Sequence, residues 1–296
     1  MMAEISASMV KTLREKTDAP MMECKKALSE ANGDISKAEE ILRVKLGSKA
    51  GKTSSRITAE GIVSVLIKDG KSAMIEVNCE TDFVAKNNEF INFSNQLNEI
   101  IINKESDSID QLLTENLNGS TVESVRKSLI GKIGENISIR RASFKKSNGT
   151  FYSYSHGNRI GVLVDLSVPN ETLGKDIAMH IAAMKPKAIK SSDVDAKLIE
   201  VEKRVAAEKA ADSGKPPEIV KKMVDGAVNK FLKEVSLHGQ VFVKSEDNKT
   251  TIEQLLDKNE ASVNSFTIFV VGEGLEKKSE NFAEEVAATT AASKVH

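Results

Sequence analysis

The sequence lacks tryptophan and has few other aromatic residues. Two tyrosines and ten phenylalanines bring the aromatic content to 4% of its 296 residues. Modules that bind single-stranded nucleic acid usually stack bases on exposed aromatic side chains, so a surface of that kind is not expected. The charge is also nearly balanced, with 42 basic against 43 acidic side chains. Because each phosphate contact needs a cation, we expect no direct binding of nucleic acid over a wide surface.

Cysteines and long apolar runs are scarce as well. Cys24 and Cys79 lie far apart with no CxxC pattern, so the sequence indicates neither a disulfide framework nor a zinc site. Cys79 falls in an alternating apolar segment, which is typical of a reduced core cysteine. No apolar run approaches the roughly 18 residues of a membrane helix, and charged Glu4 and Lys11 stand where a signal peptide is apolar. We therefore expect a cytoplasmic protein with no membrane contact.

Motifs for catalysis and cofactor binding are missing too. The four histidines are dispersed, and no HExxH, GxSxG or Cys/His pairing occurs. The segment GSKAGKT at 47–53 imitates a phosphate-binding loop, but that loop needs four residues between its glycines and this one has three. We therefore expect no enzyme activity, no cofactor and no metal.

Helical periodicity opens the chain. Residues 1–46 predict three short helices, and Gly33 and Asp34 end the second helix and cap the third. The predicted inner faces carry Met9, Val10, Leu13, Met21, Met22, Leu28, Ile35, Ala38, Ile41 and Leu42. The next segment, 43–56, contains five basic residues and no acid. We interpret it as a solvated interdomain hinge, with RNA binding as a weaker alternative.

After Thr58 the apolar pattern alternates with a period of two, as in strands. The order strand, tight turn, strand, helices, strand then occurs twice, first around the turn Asp69-Gly70 and again around Gly157-Asn158. The predicted segments are strands 61–67, 72–79 and 136–144, helices from Thr81 and from Val122, a polar loop 107–120, strands 150–156, 160–168 and 265–271, and helices 171–184 and 250–257. This repetition favours a duplicated α+β core. We expect Met184 to face inward at the end of its helix.

Two helical stretches, 193–211 and 216–235, interrupt the second copy. The second stretch has a wide apolar stripe that must be buried. It can pack against Val194, Leu198, Val201 and Val205 of the first stretch, or against another copy of the chain, and the sequence leaves both open. A final short helix is predicted from Ser279.

One segment, 76–87, runs from a strand into the start of a helix. Thr81 or Asp82 can cap this helix, and Phe83 directly after the cap can project from the sheet. In the alternative interpretation, Phe83 and Val84 simply anchor the helix to its own core. The residues by themselves do not decide between the two.

Several strings in this chain, in order and spread along most of its length, strongly resemble the bacterial elongation factor Ts family. They are MMECKKAL at 21–28, VNCETDFVAK at 77–86, KIGENI at 132–137, HGNRIGVL at 156–163, SGKP at 213–216, EVSL at 234–237 and VGEG at 271–274.

The resemblance implies a particular domain organisation. It comprises a ubiquitin-associated-like three-helix domain with the basic hinge (1–55), a first core subdomain (56–145), a second core subdomain (146–190 and 236–275), an inserted helical hairpin used in dimerisation (191–235) and a C-terminal helical module (276–296).

The resemblance also implies a function, that of a guanine-nucleotide exchange factor for elongation factor Tu. In the family, a Thr-Asp-Phe-Val stretch enters the GTPase domain of that partner and helps dislodge the magnesium ion beside the nucleotide. This role falls here on Thr81, Asp82, Phe83 and Val84, and His156 is expected to contact the partner near its phosphate-binding loop. The alternative from another class is an adaptor or chaperone-like binder that has no effect on nucleotide.

Overall fold

Helices and antiparallel strands occupy separate stretches of the chain in an α+β fold, as predicted. The computed structural model describes residues 5–17, 19–211 and 214–275, apart from the side chains of 47–52. The helix predicted after Ser279 and the proposed module 276–296 lie outside these residues. None of the helices described is long and apolar enough to cross a membrane.

The described elements follow one another in this order: α1 (Ala7–Thr17), α2 (Met21–Glu30), α3 (Ile35–Thr53), β1 (Glu60–Lys68), β2 (Lys71–Cys79), α4 (Asp82–Ala85), α5 (Asn88–Lys104), α6 (Ile109–Thr114), β3 (Asn116–Leu117), β4 (Ser120–Thr121), α7 (Val122–Ile133), β5 (Ser138–Lys146), β6 (Thr150–His156), β7 (Ile160–Leu166), α8 (Glu171–Met184), α9 (Ala196–Ala211), α10 (Pro217–Val235), α11 (Ile252–Lys258) and β8 (Val263–Val270).

The three N-terminal helices form a small core of their own. Leu13, Leu28 and Leu42, one from each helix, are buried together. The Asp34 carboxylate accepts a hydrogen bond from the Lys37 amide at 3.0 Å and so caps α3, as predicted. The predicted burial of the methionines is wrong: Met21 is 57% and Met22 61% exposed. Cys24, Ala27 and Leu28 fill the inner face of α2 and leave the first turn outside it.

The basic segment 43–56 is largely helical, which corrects the predicted hinge. Helix α3 continues to Thr53 even though glycines at 47 and 51 each disfavour a helix by about 1 kcal/mol. The reason is tertiary: Leu46 packs on Gly131 of α7, where an added Cβ would lie 2.5 Å from the Leu46 Cβ. This contact docks the N-terminal helices on the remainder of the chain.

Two three-stranded antiparallel sheets follow, with the orders β1-β2-β5 and β6-β7-β8. Both predicted hairpin turns are confirmed. Asp69 and Gly70 have φ of 51° and 70°, and Gly157 and Asn158 both have 56°, which is the left-handed region that such turns require. Each sheet is covered by helices on one face, mainly α5 and α7 in the first and α8 in the second.

The helices differ from the prediction in two boundaries and in the burial of one residue. The single helix expected from Thr81 is two helices, α4 and α5, because the side chain of Asn87 accepts from the amides of Glu89 and Phe90 and starts a new helix. The predicted polar loop 107–120 contains α6 and the small β3–β4 hairpin. Met184 is 47% exposed because α8 ends at that residue, where Lys185 adopts a left-handed conformation.

Helices α9 and α10 form the predicted helical hairpin. Small side chains make its buried contact: Ala206 and Ala210 of α9 pack with Val224 of α10. Of the side chains that could have packed against α10, Val194 is buried, whereas Leu198 and Val201 are 42% and 49% exposed. Ile219 and Met223 of α10 are also exposed. The alanines fill the interface between the two helices, so the larger apolar side chains remain at the surface.

A buried carboxylate joins the two sheets. Glu76 of β2 is fully buried and accepts hydrogen bonds from Arg140 Nη1 at 2.9 Å, Arg141 Nε at 2.6 Å and the amide of Gly272 at 2.8 Å. Burial alone would raise the pKa of Glu76, but these donors outweigh it and hold the pKa below the ordinary value. Arg141 also lies over the Phe269 ring of β8, 4.3 Å from its centroid.

We predict that Glu76→Ala lowers the free energy of unfolding by about 3–5 kcal/mol at neutral pH, because it removes the buried carboxylate that two arginines and a buried amide share. A carboxyl with a lowered folded-state pKa stabilises the protein above its unfolded pKa, and that contribution is lost as pH falls through the folded pKa. The difference in free energy of unfolding between the variant and the unmodified protein should therefore become smaller below about pH 4.5. Urea unfolding at several pH values measures it.

The control for this experiment is Glu171→Ala, which removes an exposed carboxylate paired with Lys175 on α8. It should unfold at nearly the same urea concentration as the unmodified protein. If Glu76→Ala behaved like Glu171→Ala, Glu76 would not be the junction between the sheets.

Candidate functional site

The segment after β2 turns sharply into α4 and separates two adjacent apolar side chains. Thr81 is the N-cap, and its hydroxyl accepts a hydrogen bond from the Val84 amide at 3.3 Å. Val84 is buried in the core beneath the first sheet. Phe83 is 80% exposed, more than any other large hydrophobic side chain among the described residues. The anchoring interpretation therefore applies to Val84 alone, and Phe83 projects from the sheet.

The turn is held from the opposite side by Glu135, which follows α7. Its carboxylate accepts from the amides of Glu80 and Thr81 at 3.1 and 3.0 Å, and from the Thr81 hydroxyl at 2.7 Å. In return, the Glu80 carboxylate accepts from the Asn136 amide at 2.6 Å. Hydrogen bonds to charged groups contribute about 1.5–3 kcal/mol each, so the turn is rigid before any partner arrives. Sequence reasoning gave no role to Glu135, although its string KIGENI belonged to the resemblance.

Asp82 lies at the surface beside Phe83. Its carboxylate pairs with Lys86 Nζ at 2.7 Å, one helical turn further along. The hydrogen bond from Lys86 holds the pKa of Asp82 below its usual range, and the positive charge of Arg159 acts in the same direction. Asp82 is therefore a fixed negative charge at neutral pH. No cluster of three or more metal-ligating side chains occurs within 5–17, 19–211 and 214–275.

His156 lies at the end of β6, before the Gly157-Asn158 turn, and is exposed. Its ring Nδ1 is 3.3 Å from the Tyr154 hydroxyl, with which it can share a hydrogen bond. It does not contact the turn at 81–84 directly. The hairpin that carries it is pinned to the first sheet, because the Asn158 carbonyl accepts from the Val63 amide at 2.8 Å.

A second link relates this hairpin to the turn at 81–84. Arg159 forms an ion pair with Glu60, and Glu60 lies opposite Cys79 where β1 pairs with the end of β2. The hydrogen bond that Arg159 donates to Glu60 raises the pKa of Arg159, and the charge of Asp82 adds to this effect. The two sequence-predicted regions thus belong to one edge of the paired sheets, although they come from different sheets.

Cys79 lies directly under this edge. It is buried and free, as expected for a reduced core cysteine, and its thiol donates to the Thr81 carbonyl at 3.1 Å. Burial, followed by the charge of nearby Glu135, raises the pKa of Cys79 to about 12. The thiol therefore stays protonated and unreactive at neutral pH. The chemistry available at this site is contact and charge, not nucleophilic attack.

We predict that Phe83→Ala and Val84→Ala differ in stability although the residues are neighbours. Phe83→Ala should change the free energy of unfolding by no more than about 0.5 kcal/mol, because the ring is exposed. Val84→Ala should cost about 1–2 kcal/mol, because it removes two buried methyl groups. Urea unfolding of the two variants tests this. Equal losses would show that Phe83 packs against the chain.

Comparison with known proteins assigns the chain to a family. The family model for elongation factor Ts matches residues 80–273, about two thirds of the chain. The elongation factor Ts of Paraburkholderia phymatum is 56% identical over 293 residues, which cover 99% of both chains. Those of Burkholderia cenocepacia and Burkholderia vietnamiensis are 57% identical over the same length and coverage. The matched region contains the turn at 81–84, Glu135 and His156. The chain therefore belongs to the elongation factor Ts family.

Proposed function

We propose that this chain binds elongation factor Tu carrying GDP, displaces Mg²⁺ beside the nucleotide and promotes GDP release, so that GTP can bind during translation elongation. Membership of the family supports a role in translation and nucleotide exchange. The single observation that carries the finer proposal is an 80% exposed Phe83 on a turn that is hydrogen-bonded to Glu135 through the amide and hydroxyl of Thr81. The work would take place in the cytoplasm and needs no cofactor, since no covalent bond changes.

The energetics limit what one side chain can do. A nucleotide held at nanomolar affinity is bound by about 12 kcal/mol, much of it from Mg²⁺ and from donors on the phosphates. By reciprocity, the factor can weaken the binding of the nucleotide only by as much as the bound nucleotide weakens the binding of the factor. Burying Phe83 in the partner would contribute roughly 2–3 kcal/mol. This corresponds to at most about a hundredfold increase in the rate of GDP release, so wider contacts with the partner must supply the remaining free energy.

Each site residue has a distinct part in this proposal. Phe83 acts as the wedge that enters the GTPase domain, and Asp82 places a negative charge near the magnesium shell. Thr81 caps the turn, and Val84 anchors it from inside the core, where it cannot also touch the partner. His156 provides a second contact near the phosphate-binding loop of the partner. The ion pair between Arg159 and Glu60 supports this assignment, because it ties the His156 hairpin to the strand pair that carries the turn.

We also propose the finer domain organisation that the family resemblance implies. Helices α1–α3 would act as a ubiquitin-associated-like domain, with the exposed Met21 and Met22 available to the partner. The two sheets would be duplicated subdomains, and their identical strand order supports this. The α9–α10 hairpin would serve as a homodimer contact, for which its exposed apolar side chains are the support.

Phe83→Ala is expected to slow release of a fluorescent GDP analogue from elongation factor Tu by about 10- to 100-fold, because the variant loses the burial of one ring. Stopped-flow fluorescence over a range of factor concentrations measures the maximal rate. Val243→Ala, which removes a half-exposed apolar side chain elsewhere, is the control and should leave the rate unchanged. An unchanged rate in Phe83→Ala would remove Phe83 from the mechanism. An adaptor without exchange activity would not accelerate release at all.

Removing the α9–α10 hairpin should abolish self-association and leave the monomer folded. Residues 196–233 can be replaced by a short Gly-Ser turn, because the contacts at the base, such as the Lys187 amide to the Val235 carbonyl at 2.7 Å, are retained. A double variant with Leu198→Ser and Val201→Ser tests the same face without a deletion. Light scattering gives the mass of each. Met184→Ser is the control. If the deletion left the number of chains per particle unchanged, the hairpin would be excluded as the interface.

A further inference from the structure

The polypeptide between β2 and α4 carries two amides that no regular element satisfies. Strand pairing ends at Cys79, and α4 begins at Asp82, so the amides of Glu80 and Thr81 have no partner in the sheet or the helix. Both donate to Glu135 Oε2, at 3.1 and 3.0 Å. Since unpaired amides in a partly buried turn are unfavourable, the Glu135 carboxylate decides which backbone conformation this turn adopts.

The second oxygen of the same carboxylate acts on the cap. The Thr81 hydroxyl donates to Glu135 Oε1 at 2.7 Å and accepts from the Val84 amide at 3.3 Å. Its rotamer is therefore held from both sides. Helix α4 has only four residues, too few to be stable by itself, so its direction depends on this cap. That direction sends Val84 into the core and Phe83 to the surface.

The segment around Glu135 is itself anchored. The next residue, Asn136, donates its amide to Glu80 Oε1 at 2.6 Å, and its side chain donates to the carbonyls of Ser54 and Arg56 at 3.3 and 3.0 Å. Gly134, with a left-handed φ of 89°, makes the reversal that brings Glu135 out of α7. The carboxylate thus approaches the turn from a fixed position.

We propose that Glu135 is a positioning residue for nucleotide exchange, acting through Thr81 and α4 to hold Phe83 in the direction that enters the partner. This inference rests on the proposed function and adds a residue to it. Glu135 would set the maximal rate of GDP release without contributing to affinity, because it stabilises the orientation of the ring and not its contact area.

The test compares Glu135→Ala, Phe83→Ala and the double variant in stopped-flow release of a fluorescent GDP analogue from elongation factor Tu. We expect Glu135→Ala to lower the maximal rate about tenfold and to leave the half-saturating factor concentration within about twofold. The double variant should be no more than about twofold slower than Phe83→Ala, because Glu135 acts through that ring. The proposal would be overturned if the effects of the two single substitutions multiplied in the double variant. An unchanged rate in Glu135→Ala would also overturn it.

Two variants separate positioning from general stability. Glu135→Gln keeps an oxygen that can accept from both amides and a group that can donate to Thr81, so it should recover the rate to within about threefold. A rate as low as that of Glu135→Ala would contradict this. Glu123→Ala, which removes a carboxylate bonded to Arg126 on α7, should leave exchange unchanged. An equal loss in Glu123→Ala would indicate a structural effect only.

Amide hydrogen exchange tests the same inference without the partner. In Glu135→Ala, a peptide that covers residues 79–85 should exchange at least about tenfold faster, while β7 keeps its protection. Unaltered protection of residues 79–85 would overturn the proposal whatever the exchange assay shows. If the unmodified factor did not accelerate GDP release, the proposed function would fail, and this measurement would still decide whether Glu135 holds the turn.

Discussion

Glu76 lies in the central strand of the first sheet, and its buried carboxylate binds donors that lead to both sheets. Arg140 and Arg141 come from β5, and the amide of Gly272 follows β8. The two parts of the candidate site also start from different sheets, with the turn at 81–84 after β2 and His156 at the end of β6. The junction fixes their separation together with the hydrogen bond from the Val63 amide to the Asn158 carbonyl and the ion pair between Arg159 and Glu60. A buried charge with several donors keeps that junction specific, since any shift leaves charged groups unpaired.

The candidate site combines exposure with rigidity. Phe83 is left in water in the free protein, so its burial remains available as binding free energy when a partner covers it. The hydrogen bonds around Glu135 order the turn during folding, so little ordering cost is left for the moment of binding. Asp82 adds a fixed negative charge beside the ring. None of these properties requires a reactive group, which agrees with the protonated thiol of Cys79.

Local patterns predicted much of the fold. The strand 150–156 and the helix 171–184 have the expected bounds, because alternation and helical spacing are properties of neighbouring residues. Both hairpin turns were predictable for the same reason, since few residues accept a positive φ. The errors lie where distant contacts decide. Helix α3 passes through two glycines because Leu46 packs on α7, and Met21 is exposed because smaller side chains fill the inner face of α2.

By itself, the sequence determined the family, the α+β class and the segment in which the candidate contacts lie. These follow from ordered strings of residues and from short-range periodicity. Only the tertiary structure decided that Phe83 faces outward and Val84 inward, because two adjacent apolar residues at a helix start leave no periodic signal. It also supplied Glu135, which bonds to a residue 54 positions away in the chain. A hydrogen bond across that separation depends on where the backbone folds back, and no local pattern records it.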